Sequence, residues 1–407
     1  MSANLGTPGG QPAPSPLGNE ARPPRIPTHM PTPSLLLLAA LLLTQQTPVR
    51  EVRLGSPAAT LAHEFTQLRG VRELPDGRLL VSDRLEPALY VVDLRTGRAT
   101  RIGREGSGPE EYRMPSTLLP LPGDSTLVAD EGNARFMIIG PDFKVHRSMP
   151  TQRPGLVYSP WPRATDRQGR LYFQVPAWAA GPEGIEDDSV HVARLDLRTG
   201  RIDTLARARR PTEPRVKYGL PYVGFAAQDI WQVTPEGRIA LVRSRDYHIE
   251  WREPDGRVTR GPAVSWTAVP VTERDRVDYM RTFLENSGVG GRGSGSTNPS
   301  GVSPTPDEML APDRVKAMAA QNPFAATKPP FTDVMPRFAP NQSLWVERSM
   351  PAGAPRRWDV FDPTGRITLR VVLPPGRRLL AVGRAGLYLA AVNPDGLEAL
   401  ERYQLPR

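Results

Sequence analysis

The feature that most restricts this chain is a nine-residue unit, a turn followed by a short apolar strand, that recurs six times. It reads PDGRLLVSD at 75–83, PGDSTLVAD at 122–130, RQGRLYFQV at 167–175, PEGRIALVR at 235–243, PNQSLWVER at 340–348 and RAGLYLAAV at 384–392. A second turn follows five of the copies about 20 residues later, at 93–100, 140–147, 196–203, 253–260 and 362–369. Turns of the D-x-x-G and P-D-G kind supply the positive φ that hairpins need, and the flanking runs are apolar and β-branched. Each unit therefore holds two hairpins, which make four strands. A period of this length decides the architecture before any single motif does. The expected fold is all-β, a six-bladed β-propeller with four-stranded blades.

The chain ends test the count. The last unit has strands near 379–384, 387–392 and 397–405 and then stops one strand short. The missing strand is available in Val49–Leu54, reading VREVRL. An N-terminal strand that completes the last blade closes the ring and removes two exposed edges. A seven-bladed ring would need 270–330 to be a blade, and that stretch reads as helix. Thr272 is a helix N-cap, with Asp275 in the first turn and Val277, Met280 and Leu284 on one stripe. Residues 287–304 are a Gly/Ser-rich linker, and Thr305-Pro306-Asp307-Glu308 is a second capping box with Pro at the first helical position. A helical insertion over 267–330, between blades four and five, is thus expected inside a propeller of residues 48–407.

Composition agrees. With 47 Pro and 36 Gly among 407 residues, a long helical bundle is excluded, and 39% hydrophobic residues supply a core that a disordered chain lacks. The net charge is +9, and only four of the 52 basic residues are Lys. The arginines are dispersed among acids, the nearest approach to a patch being Arg207, Arg209 and Arg210. Such a balance sets solubility and long-range attraction, and no nucleic-acid partner is expected. The absence of Cys removes disulfides, thiolate metal sites, cysteine nucleophiles and a lipoprotein anchor.

Residues 1–47 form a Pro-rich leader that contains the apolar block Leu35–Leu43, LLLLAALLL. Nine residues are too few to span a bilayer and suit the apolar region of a secretory signal. A start at Met30 would place the block five residues in. Export to the periplasm or beyond is the expectation. An uncleaved segment would be the chain's contact with a membrane, and cytoplasmic residence would follow if the block is no signal.

Residues 103–146 carry a Gly103/Gly106/Gly108-Pro109 loop, an acidic-aromatic step at Glu111, Tyr112 and Pro115, an apolar strand ending in Asp130, and Asn133 with Arg135 before the next strand. This segment resembles an NHL repeat. Blade one is a looser copy, with Glu64-Phe65 and Ser82-Asp83, and the other blades keep the turns alone. The whole chain is similar to exported six-bladed NHL-like propellers of bacteria. That resemblance implies a fold shared by amidating lyases, lactonases of the gluconolactonase type and protein- or RNA-binding modules, and fold alone does not choose among them.

The chemistry is sparse. An amidating lyase is expected to gather His ligands in the channel, but His29 lies in the leader and His146, His191 and His248 fall on outer strands, leaving His63 near a rim. A calcium-dependent lactonase needs oxygen ligands from inner strands, where Glu73, Asp229 and Asp333 occur without a matching Asn. No cofactor and no metal site is expected, with calcium the ion such a channel would take. Aligning the units places Arg69, Ser116, Trp161, Asp229, Val334 and Arg378 at equivalent points of the channel mouth, with Asp333 adjacent. These residues read as a polar, aromatic-floored pocket for an anionic or carbohydrate-like ligand, or for a protein partner. The competing reading is that they pair with one another as inter-blade salt bridges. The expected function is a binding module acting through this mouth and the insertion; the alternative is a metal-dependent hydrolase or lyase, lactonase-like, using the same channel.

Overall fold

A computed structural model describes residues 49–152, 161–176, 189–210, 223–286 and 306–406. The chain divides into two units, Met1–Pro48 and Val49–Arg407, and the fold is that of the second. The apolar block at 35–43, the linker at 287–304 and the cap at Thr305 lie outside the described residues.

Six antiparallel sheets follow one another around a ring, which is a six-bladed β-propeller. Their inner strands are Leu68–Glu73, Pro115–Pro120, Pro162–Thr165, Ile230–Val233, Arg337–Phe338 and Arg377–Val382. The repeated unit is the turn out of each inner strand plus the second strand of the blade. Gly77 and Gly237 sit in these turns at φ 86° and 88°, and Gln342 takes the equivalent left-handed backbone at 66° without being glycine.

The second strands are covered by neighbouring blades on both faces. Leu79–Asp83 and Thr126–Asp130 are accordingly buried along their whole length, and their apolar runs are continuous rather than alternating. Each junction between adjacent blades holds one hydrophobic cluster, six in all. Leu61, Phe65, Val81 and Tyr388 belong to the junction of blades six and one; Trp231 and Tyr172 belong to that of blades three and four. The blades touch closely near the axis. A Cβ on Gly70 would lie 2.5 Å from the Ser116 carbonyl oxygen, so blade one's inner strand requires glycine there.

The ring is closed by an N-terminal strand, but a different one from that expected. Ala59–Phe65 pairs antiparallel with Glu398–Tyr403 as the outermost strand of blade six. Within the expected segment Val49–Leu54, Glu51–Arg53 pairs in parallel with the outer strand of blade five, Ile367–Val372, as a fifth strand. Ala59–Phe65 wins the closing place because it buries Leu61 and Phe65, whereas Glu51 and Arg53 are exposed.

Between blades four and five come helices α1 (Glu273–Asn286), α2 (Pro306–Leu310) and α3 (Pro312–Gln321). Thr272 Oγ1 accepts from Asp275 N at 3.3 Å while the Asp275 carboxylate accepts from Thr272 N at 2.8 Å, a reciprocal cap. Met280 and Leu284 of α1 pack with Val315 and Ala319 of α3 into a small core of their own. Phe225, in the segment leading to blade four, joins it through Tyr279 and Phe324, with ring centroids 4.7 and 6.1 Å away. No helix among the described residues is long and apolar enough to cross a membrane.

Candidate functional site

Chain order determines what reaches the mouth of the channel. The residues at the start of each inner strand lie on one face of the ring, and each second strand runs back to that face. Arg69, Ser116 and Arg378 are the second residues of their inner strands. Trp161 and Asp229 stand immediately before theirs, and Asp333 lies in the segment leading to Arg337.

Four of these side chains are taken up by the fold. Ser116 is buried; its carbonyl accepts from Ser82 Oγ at 2.6 Å across the joint of blades one and two. Trp161 packs into the core between blades two and three, edge-on to Phe136 with centroids 5.7 Å apart. Asp229 accepts from Ser244 N at 2.8 Å and Arg209 N at 3.0 Å and pairs with Arg243 at 2.8 Å. Arg378 donates to Glu398 at 2.7 Å and to the Leu68 carbonyl at 3.0 Å, and Glu398 in turn accepts from Leu68 N at 2.6 Å. That group stitches blade six to blade one.

Arg69 and Asp333 differ from the rest. Both are exposed, and among the described residues neither side chain has a hydrogen bond to another residue or an ion pair within 4.0 Å. Each is nevertheless hemmed in by the ring wall. Desolvation lowers the Arg69 pKa, and the nearby Arg84 and Arg378 act in the same direction against Glu131 and Glu398. Desolvation raises the Asp333 carboxyl against the pull of its own N–H, Arg163 and Arg210. Both groups thus reach the surface with enough protein around them to lose part of their hydration.

Further charged groups lie close to these residues. Desolvation and the repulsion of Arg378 bring Arg337 down to about 10. Its guanidinium donates to the carbonyls of Leu380 at 3.1 Å and Met335 at 2.9 Å. Burial raises Glu347, which pairs with Arg356 at 2.8 Å and also feels Asp333 and Arg337. Arg84 pairs with Glu131 at 3.3 Å. These five, with Glu398, were missed in the sequence. Arg84 and Glu131 had a signal, since each follows the Asp that ends a second strand at the same repeat position, Asp83 and Asp130. Arg337, Glu347 and Glu398 had none.

The insertion extends towards this mouth. Glu285, on the last turn of α1, is raised by desolvation and senses both Arg281 and Glu398 of blade six. The helix therefore starts beside blade five, where Asp275 meets Lys328, and ends within electrostatic reach of blade six.

The residues that carry the NHL resemblance clamp a loop. Asp130 accepts from Arg113 N at 2.9 Å and Met114 N at 3.2 Å; Asn133 bridges Asp130 and the Gly106 carbonyl; Arg135 donates to Asp130 at 3.0 Å and to the carbonyls of Gly108 and Glu111. Their role is internal to blade two.

The groups considered for metal chemistry do not converge. Glu73 ends its inner strand at the opposite face and lies 3.5 Å from Arg384, while Asp229 is committed to Arg243. His63, on the closing strand, packs edge-on to Phe65 and at a tilt to Tyr90, with centroids 4.7 and 4.8 Å away. Among the described residues no group of three or more His, Cys, Asp or Glu is placed to hold a metal ion.

No family model and no curated protein matches this sequence. Solved structures do. A protein of Bacteroides fragilis described as a proposed exported protein is 14% identical, with 88% of this chain and 99% of that one covered and a TM-score of 0.49. A gluconolactonase of Xanthomonas campestris is 12% identical over 86% and 91% of the two chains, with a TM-score of 0.44. A calcium-binding regucalcin of Agrobacterium tumefaciens is 12% identical over 88% and 97%, with a TM-score of 0.41. These are likenesses of propeller fold and go no further.

Proposed function

We propose that this chain is an exported binding module whose channel mouth takes a small anionic ligand on Arg69, with α1 forming one side of the mouth. The observation that carries the reading is the Arg69 guanidinium. It is exposed, lies on an inner strand, and has no carboxylate within 4.0 Å among the described residues. A planar guanidinium with free donors suits a carboxylate or phosphate held by two parallel hydrogen bonds, and partial desolvation strengthens that attraction. Arg337, whose described partners are backbone carbonyls, adds positive charge to the same wall. The apolar block at 35–43 supports export.

The test is calorimetric titration of the chain with a panel of carboxylates, phosphates and neutral sugars, repeated with Arg69→Gln. Anions should bind, and the variant should weaken them by about tenfold or more. Equal binding by both proteins would sink the reading.

A hydrolase or lyase is the second reading, and one observation favours it. Asp333 is a desolvated carboxyl held above the usual range in the channel, as a general acid or base would be. Lactone or ester turnover that disappears in Asp333→Asn would replace the binding reading with this one.

A further inference from the structure

Arg69 stands on a local irregularity of blade one. Leu68 pairs with Asp83 and Gly70 with Ser82, so Arg69 is the extra residue of a β-bulge in the inner strand. A bulge re-aims a side chain, and it disturbs the ladder so that nearby backbone groups need other partners. We propose, resting on the binding reading above, that Ser82 and Glu398 are positioning residues that hold this bulge and so fix Arg69 for an anion that neither of them touches.

Side chains supply the partners on both sides of Arg69. Before it, the Leu68 N–H donates to the Glu398 carboxylate at 2.6 Å and the Leu68 carbonyl accepts from Arg378 at 3.0 Å, while Arg378 donates to Glu398 at 2.7 Å. After it, the Gly70 N–H donates to the Ser82 hydroxyl at 2.8 Å, and that hydroxyl donates to the Ser116 carbonyl at 2.6 Å. Thr66 and Gln67 give their N–H groups to Asp83 at 2.6 and 2.9 Å. Leu68 and Gly70 are buried, and Arg69 between them is exposed.

Blade two carries the same irregularity without the clamp. Pro115 pairs with Asp130 and Leu118 with Val128, which again leaves one residue extra on the inner strand. Pro115 has no N–H to give where Leu68 meets Glu398, and Ala129 stands where blade one has Ser82. Ser116, next after Pro115, is buried. Ser82-Asp83, the pair that links blade one to the NHL pattern, thereby gains a role.

Charge and position pull in opposite directions at Glu398. Its carboxylate attracts the Arg69 guanidinium, so deleting it would by electrostatics alone leave Arg69 more attractive to an anion. Loss of the clamp acts the other way, because a guanidinium held in place gives up less freedom on binding than a loose one.

The experiment is calorimetric titration of the chain with inorganic phosphate and with acetate, using Ser82→Ala, Glu398→Ala and Glu398→Gln, each alone and combined with Arg69→Gln. Ser82→Ala and Glu398→Ala should weaken binding by about tenfold and have no further effect on the Arg69→Gln chain. Glu398→Gln keeps an oxygen for the Leu68 N–H and should recover the native affinity. Arg135→Ala, which disturbs blade two, should bind as the native chain does and so separates lost stability from lost positioning. Circular dichroism identifies a variant that fails to fold; should Glu398→Ala do so, Ser82→Ala, which removes one neutral atom, carries the test. If Ser82→Ala binds as tightly as the native chain, or Glu398→Ala binds as tightly or more so, the positioning proposal falls and the anion reading stands. If Arg69→Gln changes nothing, or neither anion binds, the anion reading falls and the proposal with it.

Discussion

The Asp275 carboxylate and the Lys328 ammonium meet at 2.6 Å with both side chains almost wholly buried, and the contact joins the first turn of α1 to the segment that leads back into the ring. Lys328 also donates to the Met350 carbonyl at 2.6 Å and lies over the Phe225 ring, so one side chain ties the insertion to blade five and to the segment before blade four. Removing one partner leaves a buried charge without its counterion. Asp275→Asn should cost about 3–5 kcal/mol in urea unfolding, whereas Asp275→Leu with Lys328→Met should fall much closer to the native chain.

The same pair gives a sign to the acid response. Burial alone would raise the Asp275 carboxyl, but Lys328 and the Thr272 hydroxyl and N–H outweigh it and hold the pKa below its ordinary value. A carboxyl depressed in the folded state stabilises fully above its unfolded pKa and loses that contribution as pH falls through the folded value. Proteolysis of the insertion should therefore accelerate in strong acid before the ring melts, and Asp275→Asn should show the fast rate at neutral pH.

Arg135 binds the Asp130 carboxylate and two loop carbonyls together. Arg135→Ala should lower stability by about 3 kcal/mol, measured by denaturant unfolding. Arg135→Lys should recover little of it, because one ammonium cannot reproduce the planar fork. Full recovery by Lys would mean that charge alone holds the loop.

The two N-terminal strands make separable predictions. A chain starting at Pro57 loses Glu51–Arg53 and a few backbone hydrogen bonds to blade five, at a cost of about 1 kcal/mol. A chain starting at Gln67 also loses Leu61 and Phe65 from the junction of blades six and one and uncovers the edge of Glu398–Tyr403. The first should run as a folded monomer on size exclusion with a nearly unchanged melting temperature; the second should aggregate.

Asp333 should oppose stability while serving the mouth. Its carboxyl is raised in the folded state, so the ionised form is penalised at neutral pH and the penalty vanishes below the unfolded pKa. Asp333→Asn should melt no lower than the native chain at pH 7. Arg163, Arg210 and Glu347 are the charged groups that act with Asp333.

The ring was legible because its signal is local. A turn that needs a left-handed residue and an apolar strand beside it sit within nine residues, and six copies make the count. Closure was legible as a requirement but not as a segment, since VREVRL and ATLAHEF are both strand-like and only contact with Tyr388 and Tyr90, far along the chain, selects Leu61 and Phe65. The mouth residues were located by chain order. Which of them kept free charge was not readable, because the answer depends on pairs such as Glu398 with Leu68, 330 residues apart.

The fifth strand on blade five has a mechanical consequence. Glu51–Arg53 is the outermost member of a five-stranded sheet, and four strand spacings of about 4.8 Å place it about 19 Å outward from the wall of the channel. A probe or cross-linker on the exposed Arg53 side chain would therefore report on the outer edge of blade five without touching the groups that face the axis.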